Sequence, residues 1–125
     1  MNQPAVTVII PGFNVGSFAA EALDSLRAQT RTDWTALLVD DASTDATAEI
    51  FAEAAATDSR FRLLRQQRQR GLGAARNVAL AEVETPFLAY LDSDDVLAPT
   101  ALERMVGTLD ASGSEFVAGA YVRLR

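Results

Sequence analysis

Ala5-Val6-Thr7-Val8-Ile9-Ile10, closed by Pro11-Gly12, is the stretch on which the reading of this chain turns. It is short, nearly continuous in β-branched residues and shows no polar alternation. A half-exposed strand alternates apolar and polar side chains, whereas a strand covered on both faces does not. The run therefore predicts a strand buried on both sides, stopped where Pro and Gly break the ladder. Similar runs recur downstream at 34–39, ending in Asp40-Asp41, at 61–64, and at 86–91, ending in Asp92-Ser93-Asp94-Asp95. A fifth is expected over 116–124.

Helical patterns fill the intervals. Ser17 is a candidate cap for a helix whose inner stripe is Phe18, Ala22, Leu23 and Leu26. Ser43 or Thr44 is expected to cap a second helix, with Ile50, Phe51 and Ala54 on its apolar face. Gly71-Leu72-Gly73 opens a third, over about 74–82. Pro99 suits the first position of a fourth, in which Leu102, Met105, Val106 and Leu109 keep the i, i+3, i+4, i+7 spacing and Gly113 acts as a stop. Strands alternating with helices predict an α/β fold: a Rossmann-like three-layer sandwich around a mostly parallel sheet.

Composition bounds the chemistry. The chain has 125 residues, 49% of them apolar, which suits one domain with one core. No apolar run reaches the roughly 20 residues of a membrane span, and Met1 to Pro4 show no secretory n-region. Cysteine is absent, so thiolate metal sites are excluded. Histidine is absent too, which removes the commonest general base and metal ligand. A net charge of −6 argues against a nucleic-acid partner. All 11 basic residues are arginines, and Arg60, Arg62, Arg65, Arg68, Arg70 and Arg76 fall in one window free of Asp and Glu. That window reads either as a solvated face or as a cationic strip beside phosphate.

In an open α/β sheet, ligands sit outside the carboxyl ends of the strands. Pro11-Gly12-Phe13-Asn14, Asp40 to Asp45 and Asp92 to Asp95 all fall at such ends. Carboxylates gathered there repel: a pair of unit charges about 4 Å apart costs about 4 kcal/mol at an effective dielectric near 20. A bound cation removes that cost. Oxygen ligands without His or Cys suit Mg²⁺ or Mn²⁺, which complete their shells with water and substrate phosphates. The edge reads as a metal–diphosphate site. The alternatives are local: Asp92 to Asp95 as a helix N-terminal charge cluster, Asp40 and Asp41 as a turn and cap, and Asn14 as a turn residue.

These segments, taken in order, resemble family-2 glycosyltransferases. Val6 to Asn14 is similar to that family's opening strand and turn, as is Leu23-Asp24-Ser25-Leu26 with Gln29-Thr30. Val39 to Asp45 is similar to its second-strand motif, Gly71 to Asn77 to its third-helix motif, and Leu91 to Asp95 to its metal-binding DXD motif. The resemblance spans nearly the whole chain. It implies a GT-A-type fold and metal-dependent transfer of a sugar from a nucleotide-sugar donor, with a UDP-sugar the expected donor. It also implies a set of roles. Pro11 and Phe13 border the nucleobase, with Asn14 on the same side. Asp41 accepts a hydrogen bond from the base, with Asp40 beside it. Arg76 assists the diphosphate and Asp92 approaches the ribose or a metal-bound water. Asp94, with Asp92, ligates Mn²⁺ or Mg²⁺, and Asp95 is their neighbour. Gly12 and Phe13 stand where the family often carries a larger residue and Tyr, so that hydroxyl is absent.

The family's acceptor half and general base match nothing here, and are expected beyond residue 125. Glu82, Glu84 and Glu115 stand at the wrong edge of the sheet to replace that base. The expectation is therefore the N-terminal, donor-binding portion of a longer enzyme, at residues 1–125. By itself it should bind donor better than it transfers sugar to its acceptor, whether glycan, lipid or other. The expected setting is cytoplasmic, with a membrane surface reached through other regions. A degenerate nucleotide-binding domain is the non-catalytic alternative. The segment 37–47 also resembles a phosphoribosyltransferase phosphate loop, but has no glycine near 45–46. A response-regulator receiver needs an acidic pair after strand one and a lysine, and a dinucleotide-binding module needs G-x-G-x-x-G there; the chain has none of these.

Overall fold

The computed structural model describes residues 4–112 and 121–123, with side chains as far as Thr108. The order is β1 (Val6–Gly12), α1 (Gly16–Arg27), β2 (Trp34–Asp40), α2 (Thr47–Thr57), β3 (Phe61–Arg65), α3 (Leu72–Leu80), β4 (Phe87–Tyr90), β5 (Asp95–Leu97), α4 (Ala101–Ser112) and β6 (Tyr121–Arg123). β1 to β4 form one parallel sheet in the order β3-β2-β1-β4.

β1 is buried along its full length because both of its faces are covered. Val6, Val8 and Ile10 point into a large core shared with Leu23 and Leu26 of α1, Phe51 of α2 and Leu102 of α4. Ile9 points the other way, joining Leu37 and Val39 against Ala75 and Ala79 of α3. The period of two that places alternate side chains on opposite faces thus creates three layers: α1, α2 and α4 on one side, α3 on the other. Small alanines on α3 let that helix lie close to the sheet.

Phe18, expected on the inner stripe of α1, is exposed, and five further features depart from the sequence reading. The first concerns the last strand. The described part of 116–123 does not join the parallel sheet; β6 pairs antiparallel with β5 in a separate two-stranded sheet. β5 itself, three residues long, went unread inside the acidic loop. Its existence depends on that distant pairing rather than on local pattern.

The second concerns capping. Neither Ser17 nor Ser43 nor Thr44 caps its helix; the cap positions are Val15 and Ala46, without side-chain bonds. Asp45 replaces both caps: Oδ2 accepts Gly16 N–H at 3.0 Å, and Oδ1 accepts Thr47 N–H at 2.9 Å. One carboxylate thus serves the positive ends of two helices. The hydrogen bonds from the Thr47 hydroxyl and backbone, with that from Gly16, hold the Asp45 carboxyl below its ordinary pKa.

Third, α3 begins two residues early, because Gly71 at φ +94° reverses the chain before Leu72. Fourth, α4 begins two residues after Pro99, and its first i→i−4 bond runs from Arg104 N–H to Thr100 O. Gly113 lies outside the described residues. Fifth, the arginine window is not one strip. Arg60 pairs with Asp58 at 2.8 Å and stacks 3.9 Å from the Trp34 ring centroid, where β2 starts. Arg62 pairs with Glu82 on the same side, far from the carboxyl ends where Arg68, Arg70 and Arg76 stand. Among the described residues, no helix is long and apolar enough to cross a membrane.

Candidate active site

Strand order reverses between β1 and β4: β2 and β3 continue to one side of β1, and β4 returns on the other. α1 leaves β1 over one face while α3 leads into β4 over the other, and such a reversal leaves a crevice outside the carboxyl ends of the strands. A cleft of about 320 Å³ opens there, lined by Pro11, Gly12, Phe13, Asp41, Asp92 and Asp94, with Val15, Ser93, Gln69, Gly71 and Leu72 completing its wall. This volume is within the roughly 300–1,000 Å³ of small-ligand sites.

Five of the residues singled out by sequence, Pro11, Phe13, Asp41, Asp92 and Asp94, meet in this cleft. Asn14, Asp40 and Arg76 do not line it. Asn14 takes φ +51° and ties two loops together: its side-chain Oδ1 accepts Thr44 N–H at 2.8 Å, and its own N–H donates to Ser43 Oγ. Asp40 is buried, turns back to accept Ser43 N–H at 3.1 Å, and has Arg65 Nε 3.9 Å away. Arg76 reaches the cleft only through Asp92, donating to Oδ1 at 3.0 Å, with its guanidinium 5.9 Å from the Tyr90 ring centroid.

Asp41 is buried at the cleft wall and holds the β3–α3 loop. Oδ1 accepts from Gln66 Nε2 and Arg70 N–H, both at 2.8 Å, and Oδ2 from Gly71 N–H at 2.9 Å. Gln66 and Gln69 were not singled out from the sequence. Glutamine between arginines carries no local signal, and only the loop's attachment to Asp41 brings them to the site.

Across the cleft, carboxylate oxygens of Asp92, Asp94 and Asp95 lie within 4.8 Å of one another. Asp92 and Asp94 are half-buried and Asp95 is buried as β5 begins. The expected gathering of both acidic loops thus narrows to this triad with Asp41 opposite, because Asp40 and Asp45 are engaged elsewhere. The donor set is all oxygen, with two members on the cleft wall, and fits a hard divalent cation.

The fold of this cleft is shared. Residues 7–124 match Glycosyl transferase family 2. The chain belongs to that family. It is 37% identical over 108 residues to the putative glycosyltransferase EpsH of Bacillus subtilis (strain 168), covering 86% of this chain and 31% of EpsH. It is 32% identical over 121 residues to an Escherichia coli protein, the UDP-Glc:alpha-D-GlcNAc-diphosphoundecaprenol beta-1,3-glucosyltransferase WfgD, covering 97% of this chain and 47% of WfgD. Among solved structures, S. aureus TarS in complex with UDP-GlcNAc superposes with a TM-score of 0.81 at 29% identity, over 87% of this chain and 32% of that one. Mannosyltransferase PcManGT from Pyrobaculum calidifontis, in complex with GDP-Man and Mn²⁺, gives 0.78 at 29% identity, over 87% and 33%. The family-2 chain described here therefore spans about a third to a half of the length of these relatives, and its parallel sheet is that of the GT-A glycosyltransferases.

Proposed function

We propose that this chain forms the donor site of a glycosyltransferase, binding a nucleoside-diphosphate sugar, UDP-linked in the first instance, together with Mn²⁺ or Mg²⁺. The observation that carries the proposal is the cleft at the strand-order reversal, whose lining brings apolar Pro11 and Phe13 together with the carboxylates Asp92 and Asp94. The likeness to a UDP-GlcNAc complex and to a GDP-Man and Mn²⁺ complex supports it.

In this reading Pro11 and Phe13 flank the base. Asp41 offers its remaining acceptor capacity to a base N–H while it holds the 66–71 loop. Asp94 and Asp92 are the cation ligands, with Asp95 behind them. Arg76 orients Asp92 and offsets part of the triad's repulsion. When bound, the cation supplies Lewis-acid neutralisation of the leaving diphosphate. The whole protein's reaction is transfer of the sugar to a glycan, lipid or other acceptor. Residues other than those described here hold that acceptor and take its proton. A cytoplasmic setting, at or near a membrane surface, goes with the proposal.

Asp94→Asn tests it. The amide is a much poorer ligand for a hard cation than the carboxylate, and the half-exposed position tolerates the change. The variant should unfold at the parent's temperature but lose the Mn²⁺-dependent part of UDP binding in calorimetric titration. Parental Mn²⁺ dependence in the variant removes Asp94 from the site.

A further inference from the structure

β1 ends in two carbonyls that face opposite ways. Gly12 O, on the β2 side, accepts Asp41 N–H at 2.9 Å. On the β4 side, pairing stops at Ile9↔Tyr90, and the final backbone rung is Leu91 N–H to Ile9 O at 2.9 Å. Two residues on, Pro11 faces the same side. It has no N–H and presents only an acceptor there, which explains how proline is tolerated at the end of a central strand. Ser93 makes the missing rung with its side chain: Oγ donates to Pro11 O at 2.6 Å. Ser93 is 2% exposed, so a carbonyl left without this donor would have no water to replace it.

The bond joins two segments of the cleft lining, the end of β1 and the Asp92–Asp94 loop. Ser93 stands between Asp92 and Asp94, and Pro11 lines the cleft with Phe13. Gly12 makes room for it: a Cβ at that position would lie 2.9 Å from Ser93 Oγ and 3.0 Å from Phe51 Cζ. The seat of the hydroxyl thus depends on the missing side chain at 12.

We infer that Ser93 is a positioning residue that indexes the carboxylate loop to the nucleobase wall, so that nucleotide and divalent cation strengthen each other's binding. The inference rests on the metal-assisted nucleotide site proposed above. Coupling between two ligands is reciprocal and is measured as the change one makes in the affinity of the other. Without the Ser93 bond the chain keeps Asp92 and Asp94, yet a nucleotide seated against Pro11 and Phe13 no longer meets a carboxylate loop held in register with it.

The test is calorimetric titration of the whole chain with UDP, without and with saturating Mn²⁺, in the parent and in Ser93→Ala. The ratio of the two Kd values should fall at least threefold in the variant. A bond that only stabilises the fold would lower Tm and move both Kd values together. An unchanged ratio in folded Ser93→Ala therefore overturns the inference. Gly12→Ala, which keeps the hydroxyl but crowds it, should also lower the ratio, and should lower it no further when added to Ser93→Ala. If Ser93→Ala does not fold, Gly12→Ala alone decides, with an unchanged ratio again overturning the inference. A parent whose UDP affinity is the same with and without Mn²⁺ overturns the metal-assisted site as well, which separates the two failures.

Discussion

Asp41 and Gln29 sit at different places in the molecule and make similar sets of bonds. Asp41, 1% exposed, accepts from Gln66 Nε2, Arg70 N–H and Gly71 N–H. Gln29, 4% exposed, donates to Ser25 O and Ala98 O and accepts from Leu102 N–H. Each ties a distant loop to the body of the fold by bonding that loop's backbone groups. The difference is in what they leave over. Gln29 is neutral and closes the seam between α1, β5 and the start of α4. Asp41 is a carboxylate with about four lone-pair sites, of which three are filled, and it faces the cleft. Burial and satisfied hydrogen bonds therefore do not mark a functional residue. Residual capacity beside a cavity does.

The comparison predicts that the two positions separate under mutation. Asp41→Ala should have the largest effect. It orphans the Arg70 and Gly71 N–H groups and removes a charged acceptor, for about 3 kcal/mol of stability, and it should also weaken UDP binding at least tenfold. Urea midpoints and UDP titration read the two losses; parental UDP affinity in a folded variant would make Asp41 a second Gln29.

Gln29→Ala should come next, at about 2 kcal/mol, because Leu102 N–H and Ala98 O lose their buried partner. Its UDP affinity should stay within a factor of two of the parent. A tenfold loss there would erase the distinction and make the seam part of the donor site.

Asp45→Ala should have the smallest effect, near the low end of the roughly 0.5–2 kcal/mol of a helix cap, since the side chain is exposed. Asp45 is the third interloop clamp, and its carboxyl is held below the ordinary value of 3.8, first by the Thr47 hydroxyl. A depressed folded pKa contributes stability that is present above the unfolded value and lost as pH falls through the folded one. The Tm gap between parent and Asp45→Ala should therefore be full at pH 7 and narrow below about pH 4. A gap that widens in acid would contradict the assignment.

The sequence by itself determined the layering and the edge. The β-branched run at 5–10 can only be a strand covered on both faces, and the alternation of such runs with helical stripes dictates parallel strands whose carboxyl ends share one side. Both acidic segments had to be at that side, because they directly follow their strands. What local pattern could not decide is which carboxylates face the cleft. Asp40 and Asp41 are adjacent, and so opposite in direction, yet nothing local says which of them turns inward. The Asx turn at Asp40 and the docking of the 66–71 loop on Asp41 decide it. Likewise β5 is too short to announce itself, Arg60 and Arg76 share a charge run but reach opposite ends of the sheet, and Asp45, rather than Ser17 or Ser43, binds the first N–H groups of α1 and α2. Each of these depends on a partner distant in sequence. Periodicity records which face a residue serves within its own element, and only tertiary packing chooses the partner it meets there.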